Sequence, residues 1–168
     1  MLTLVTGLNG FTGQYIKLEL EAHGHSVVGL KSDLTDREAV FREIKTIKPE
    51  SVVHLASIAF VDHGNSNSFY EVNLIGTNNL LSAIYENSPN ITSVLLASSA
   101  NVYGNSDDDL LNEDTLPNPT NDYAVSKLSM ENMSKLWFKK LPLFIVRPFN
   151  YTGLGQDEMF LIPKIISH

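Results

Sequence analysis

Apolar and polar positions fall in blocks along this chain, and the blocks switch period in a regular way. Leu2 to Thr6 is a short, β-branched apolar run, followed at once by Gly7-Leu8-Asn9-Gly10-Phe11-Thr12-Gly13. Tyr15, Ile16, Leu18 and Leu20 then recur among polar residues up to His23-Gly24, which predicts strand, glycine turn, helix. Val27 to Leu30 reads as a second strand. Thr35 or Asp36 caps a helix carrying Val40, Phe41, Ile44 and Ile47, and Pro49 ends it. Ser51 to Leu55 is the third strand. A polar loop leads to a helix expected from Ser68 to Asn87, with Phe69, Val72, Leu80, Leu81 and Ile84 on its apolar side. Ser93 to Ser98 is the fourth strand. A long acidic loop with Asp107, Asp108 and Asp109 runs to Pro119, and the next helix bears Tyr123 and Lys127 and continues to Lys140. Leu143 to Val146 is the fifth strand, and after Arg147-Pro148-Phe149-Asn150 a glycine-containing loop precedes a last helix, expected from Asp157 to His168.

Strands that are nearly all apolar and alternate with helices predict an α/β fold. The expected form is a doubly wound, Rossmann-type parallel sheet covered on both faces, with strand order 2-1-3-4-5 and ligand sites at the carboxyl ends of the strands. With 168 residues, the chain has room for one well-cored domain, residues 1–168. A hydrophobic share of 43% against 18% charged residues excludes a disordered chain. No apolar run reaches the length of a membrane span and no basic-then-apolar leader opens the sequence, so a cytoplasmic location without a membrane partner is expected. The absence of cysteine removes disulfides and thiolate metal sites, and no metal is expected. A formal net charge of −7 argues against a nucleic-acid partner and requires any anionic ligand to be held by helix N-termini and a few placed cations.

Such a device stands at the first turn. Between a strand and a helix, Gly7 permits a tight turn, Gly10 lets the backbone approach a pyrophosphate, and Gly13 permits close packing of helix on sheet. An acid at the end of strand two often meets a nicotinamide cofactor's ribose 2′-hydroxyl. Here the strand ends Gly29-Leu30-Lys31-Ser32, with no acid before Asp33. Lys31 and Ser32 suit a 2′-phosphate, so NADP(H) is favoured and NAD(H) is the alternative. Tyr123 and Lys127 are four apart and share one helix face. A phenol with a pKa near ~10 is a poor acid at neutral pH. A lysine ammonium beside it is expected to lower that value and make it a proton donor for a carbonyl oxygen. Ser98 and Ser99 put hydroxyls at the same sheet edge, at the end of strand four.

Ser, Tyr and Lys after a glycine turn resemble the short-chain dehydrogenase/reductase superfamily. The GxxGxxG spacing and Ser98-Ser99-Ala100-Asn101-Val102-Tyr103-Gly104 are similar to its extended branch, the epimerase/dehydratase family of sugar-nucleotide enzymes. Asp33-Leu34, His54-Leu55-Ala56, Val72-Asn73 and Gly76-Thr77 extend the resemblance, and Arg147-Pro-Phe-Asn150-Tyr-Thr-Gly153-Leu-Gly155-Gln156 is similar to GDP-4-dehydro-6-deoxymannose reductases. The resemblance implies that Tyr123 is the general acid/base, that Lys127 holds the nicotinamide ribose, and that Ser99 bonds the reacting sugar oxygen. It implies that Gly7, Gly10, Phe11, Thr12 and Gly13 line the pyrophosphate, that Asp33 and Leu34 contact adenine, and that Leu55 and Ala56 border the adenosine ribose. Phe149 would lie by the nicotinamide and Asn150 would reach the substrate.

Asn101 is the informative departure. The resembling 4,6-dehydratases carry an acid there, and an amide has no proton to exchange near neutral pH. The expected reaction is therefore NAD(P)H-dependent reduction of the C4 keto group of a nucleotide-linked, preferably GDP-linked, 4-keto-6-deoxy sugar. An epimerase and, behind it, a 4,6-dehydratase are the alternatives within the family; a non-catalytic dinucleotide-binding module is the alternative outside it. The resemblance also implies a C-terminal substrate domain that is mostly absent, begun at most by residues 151–168. A face left bare by that absence would suit a homodimer.

Overall fold

The computed structural model describes residues 1–59, 66–106 and 110–166. Asp107, Asp108 and Asp109 of the acidic loop, and Ser167 and His168 of the last expected helix, lie outside the described residues. Strands β1 (Leu2–Thr6), β2 (Ser26–Gly29), β3 (Ser51–His54), β4 (Ser93–Ala97) and β5 (Leu143–Val146) pair in parallel in the order β2-β1-β3-β4-β5, as the alternation predicts. Leu30, Leu55 and Ser98, expected inside strands, fall one position beyond them. Each still gives its N–H to the neighbouring strand, at 3.3, 3.3 and 2.8 Å, before the chain turns out of the sheet.

The connections are α1 (Phe11–Ala22), α2 (Arg37–Ile47), α3 (Asn67–Tyr70), α4 (Thr77–Asn87) and α5 (Asp122–Ser134), with α6 (Leu161–Ile166) after β5. Side chains start two of them. Asp36 accepts the Ala39 N–H at 3.0 Å before α2, and Asn121 accepts the Ala124 N–H at 2.8 Å before α5, each satisfying an orphan donor of the first turn. The expected helix over 68–87 is not regular. A π-helical stretch, Glu71–Gly76, joins α3 to α4. The helix expected to reach Lys140 tightens after Ser134 into a 3-10 turn, Lys135–Trp137. The last helix starts at Leu161 and not at Asp157, because the Asp157 carboxylate accepts the Met159 N–H at 2.8 Å and holds a turn.

The two faces of the sheet differ. Leu4, Val52 and Val94 lie in one register and are fully buried with Val40, Ile44, Leu80, Leu81, Ile84 and Met130 from α2, α4 and α5. The opposite face, where right-handed crossover puts α1, is covered at β1 and opens toward β5. Coverage on both faces was the expectation. Among the described residues it is fuller on the face that carries α2, α4 and α5 than on the other.

Candidate functional site

Two loops meet at the carboxyl edge of β1 and β3. Gly7 sits at φ +70°, and a Cβ there would stand 2.9 Å from the Ala56 nitrogen. At Gly13 a Cβ would run into the Gly7 and Leu8 carbonyls. The Gly10 N–H closes the turn onto the Gly7 carbonyl at 3.0 Å. Phe11 and Thr12 open α1, whose preceding residue Gly10 offers no capping side chain, and no acid lies in its first turn. The positive end of α1 and its unpaired amides are thus open to an anion, unlike the capped starts of α2 and α5. The turn fits a diphosphate. Leu55 and Ala56 border it from β3.

At the next edge, Ser99 starts the 3-10 turn Ala100–Tyr103 and accepts the Asn101 N–H at 3.2 Å. Tyr123, in the first turn of α5, is half-buried. Burial holds its phenol above the ordinary range; the Ser99 and Ser57 hydroxyls pull it back, and Tyr151 opposes them. Of the two serines, Ser99 therefore acts on Tyr123, while Ser98 is buried with its hydroxyl unpartnered among the described residues. Lys127 lies one turn further and is 4% exposed. Its ammonium donates to the Ala97 carbonyl at 2.8 Å and sits 5.9 Å from the centre of the Tyr123 ring. The expected lowering of Tyr123 by Lys127 is not what the structure shows. The lysine points to the end of β4, and burial of the phenol prevails. Burial also brings Lys127 itself down to about 8, with Glu131 one turn on acting in the opposite sense.

Beneath this pair runs a buried polar seam that joins His54, Asn73 and Thr77, residues of the resembling runs whose bonding the sequence did not show. The Ala56 N–H donates to Thr6 Oγ1 at 3.0 Å, and Thr6 Oγ1 is 2.7 Å from His54 Nδ1. His54 Nε2 is 2.8 Å from Thr77 Oγ1, and the Thr77 hydroxyl donates to the Asn73 carbonyl at 2.7 Å. Since Thr77 spends its proton on Asn73, Nε2 must carry the imidazole hydrogen and Nδ1 accepts from Thr6. Burial pushes His54 down to about 3, with the Lys127 charge adding to the shift, so this tautomer is neutral. From the π-helical stretch, the Asn73 amide accepts the Ile58 N–H at 3.0 Å and donates to the Ile58 carbonyl at 3.1 Å and to Ser126 Oγ at 3.0 Å. Ser126 donates in turn to the Tyr123 carbonyl at 2.7 Å. The signal for the seam was there: Thr6, His54, Asn73 and Thr77 are polar residues at positions where the pattern demands apolar ones.

The corner after β2 departs from expectation. Lys31 is exposed, but the Ser32 hydroxyl donates to Glu43 at 2.6 Å and does not stand ready for a phosphate. Asp33 is exposed, with one carboxylate oxygen taken by the Thr35 N–H and hydroxyl, each at 2.8 Å. Leu34, expected at adenine, is 6% exposed and packs in the core against Gly76, so its side chain is not available to a ligand.

Across the edge, Asn101, Phe149 and Asn150 line a cleft of about 310 Å³ with Leu111 and Asn121. Phe149 is 57% exposed and is not a core residue. Arg147 steadies this exit from β5 by gripping both Glu131 carboxylate oxygens at 2.9 and 2.7 Å and donating to the Tyr103 hydroxyl at 2.9 Å. Tyr151, which the sequence reading passed over, reaches back over α1. Its hydroxyl is 2.6 Å from Thr12 Oγ1, and its ring stacks on Phe11 at 6.2 Å. Its neighbours Phe149 and Asn150 in the aromatic-rich run were the available hint.

The sequence model of the NAD dependent epimerase/dehydratase family matches residues 3–168. The chain is 39% identical to a GDP-6-deoxy-D-talose 4-dehydrogenase of Aggregatibacter actinomycetemcomitans, over 99% of this chain and 58% of that protein. It is 33% identical to a GDP-6-deoxy-D-mannose reductase of Pseudomonas aeruginosa, over 94% and 55%. A structure of RMD from Pseudomonas aeruginosa complexed with NADPH superposes with a TM-score of 0.85 at 30% identity, over 97% of this chain and 59% of that one. The chain thus spans little more than half the length of these relatives. With the match running through β1, the glycine turn, α5 and the exit of β5 alike, the chain belongs to the NAD dependent epimerase/dehydratase family.

Proposed function

We propose that residues 1–168 form the dinucleotide-binding and proton-delivering part of a nicotinamide-dependent oxidoreductase. Its substrate would be a GDP-linked 4-keto-6-deoxy sugar, reduced at C4. The observation that carries this reading is Tyr123 facing Ser99 over a buried Lys127, along the same sheet edge as the glycine turn. The GDP-sugar relatives support the substrate class. The nicotinamide, when bound, supplies the hydride. Tyr123 gives its phenolic proton to the carbonyl oxygen, and Ser99 donates a hydrogen bond to the same oxygen as negative charge develops on it. Lys127 is mostly protonated at neutral pH with its pKa of about 8, and its ammonium can bond the nicotinamide ribose. Gly7, Gly10, Phe11, Thr12 and Gly13 hold the diphosphate; Leu55 and Ala56 border the adenosine ribose; Asp33 stands at the adenine. Lys31 is the cation for a 2′-phosphate, which favours NADP(H), and Phe149 and Asn150 approach the nicotinamide and the sugar. Asn101 cannot serve as a base, which disfavours loss of water.

The test is Tyr123→Phe, assayed by nicotinamide absorbance with NADPH and a GDP-4-keto-6-deoxyhexose. Turnover should fall about a thousandfold while cofactor affinity stays within about threefold. Loss of nucleotide binding in parallel with activity makes Tyr123 a structural residue. Failure of the parent chain to bind NADPH or NADH removes the proposal altogether.

A further inference from the structure

The corner after β2 holds a carboxylate that the proposed reaction does not use. Glu43, on α2, accepts the N–H of Lys31 at 2.9 Å, the N–H of Ser32 at 2.7 Å and the Ser32 hydroxyl at 2.6 Å. Two successive amides and a hydroxyl converging on one anion form a donor set of the kind that also receives phosphate. Lys31 and Arg42 border the same cleft, of about 460 Å³. In a doubly wound sheet, the end of the second strand is where the ribose 2′ position of a dinucleotide is met. A carboxylate of the chain itself therefore takes the donors that a 2′-phosphate would use there, and its charge offsets that of Lys31.

We infer that Glu43 is a specificity-determining residue that weakens the site's preference for a 2′-phosphate over a 2′-hydroxyl. This rests on the reading of the Gly7–Gly13 turn as a dinucleotide cradle. Glu43 is ionised in its place. Burial raises its pKa, but the Ser32 hydroxyl, the Lys31 and Ser32 amides and the Lys31 ammonium together carry it below the usual carboxylate range. Removing the side chain frees two amides and a hydroxyl beside Lys31, and removing the charge alone withdraws an anion from the approach of another.

The test is titration calorimetry of the whole chain and of Glu43→Gln and Glu43→Ala. The probes are NADPH and NADH, and then 2′,5′-ADP and 5′-AMP, a pair that differs only in the 2′-phosphate. Both variants should raise the NADPH-to-NADH affinity ratio about tenfold, leave NADH within about twofold, and shift the second pair in the same sense. The two variants approach the corner differently, since glutamine keeps the shape and loses the charge, while alanine empties the space. An unchanged or lowered ratio in whichever variant folds, with both cofactors still binding, overturns the role of Glu43. If the parent chain binds neither cofactor, the cradle reading fails first, and the two failures are distinguishable.

Discussion

Along one row of the sheet, Leu4, Val52 and Val94 are all fully buried, each covered by helices that the chain itself supplies. Along the row that points the other way, Val5 is fully buried, Val53 and Leu95 are half-buried, and Phe144 is 58% exposed. Val146, two residues on, is exposed as well. The contrast separates the two jobs of the molecule. Tyr123 and Lys127 ride on α5, which packs on the closed face, and the carbonyl of Tyr123 is tied through Ser126 and Asn73 to the loop after β3. Phe149 and Asn150 leave from the strand whose Phe144 and Val146 are exposed among the described residues. The end proposed to deliver the proton is therefore fixed by buried hydrogen bonds, while the end proposed to meet the sugar rests on a more exposed edge.

The hardest way to break this comparison is to cut the seam on the closed face. Asn73→Ala removes the partner of both backbone groups of Ile58 and of the Ser126 hydroxyl, in a site where Asn73 is 1% exposed. Buried groups left unpaired cost about 1–3 kcal/mol each, so the variant should lose about 3 kcal/mol of unfolding free energy in urea. A loss below about 1 kcal/mol would mean that the seam is a bystander, and that the two faces differ in apolar cover alone.

How much of this was legible in advance follows the same divide. The strands, their order and the glycine turn could be read, because apolar runs and glycines at fixed spacing report backbone geometry directly. Tyr123 and Lys127 could be paired because four residues is one helical turn. The seam could not, since a histidine or threonine inside an apolar strand shows only that the pattern is interrupted, and its partners come from residues 23 and 48 positions away. The capture of Ser32 by Glu43 was hidden for a related reason: the carboxylate arrives from a helix eleven residues on. The direction of the Tyr123 shift was misread because sequence spacing gives the angle between two side chains and says nothing of burial. Lys127 turned its charge to a carbonyl, and desolvation of the phenol decided the sign.

The seam has a pH signature, smaller than the loss of Asn73. His54 is neutral in the folded chain, with a pKa of about 3, whereas in the unfolded chain it takes a proton below its ordinary value of 6.5. Between these values the unfolded state binds more protons, so stability falls as pH drops through 6.5. At about pH 5.5 the loss relative to neutral pH should be about 1.3 kcal/mol, before most carboxylates titrate. His54→Gln should flatten that slope. Equal slopes in the two proteins would assign the effect to other groups.

The smallest expected effect lies on the open face, and one ladder allows both faces to be probed side by side. On β4, Leu96 is fully buried toward α5, and its neighbour Leu95 pairs with Phe144 on the opposite side of the sheet. Leu96→Ala should cost about 2–5 kcal/mol, from lost burial and the cavity left behind. Phe144→Ser, a larger chemical change, should cost only about 1 kcal/mol, because a ring that is 58% exposed has less burial to lose. The two measurements use the same denaturant titration and differ only in the face they test. A cost for Phe144→Ser approaching that of Leu96→Ala would show that the ring is covered in solution. The open edge would then be closed by a second copy of the chain, which the dependence of that cost on protein concentration would reveal.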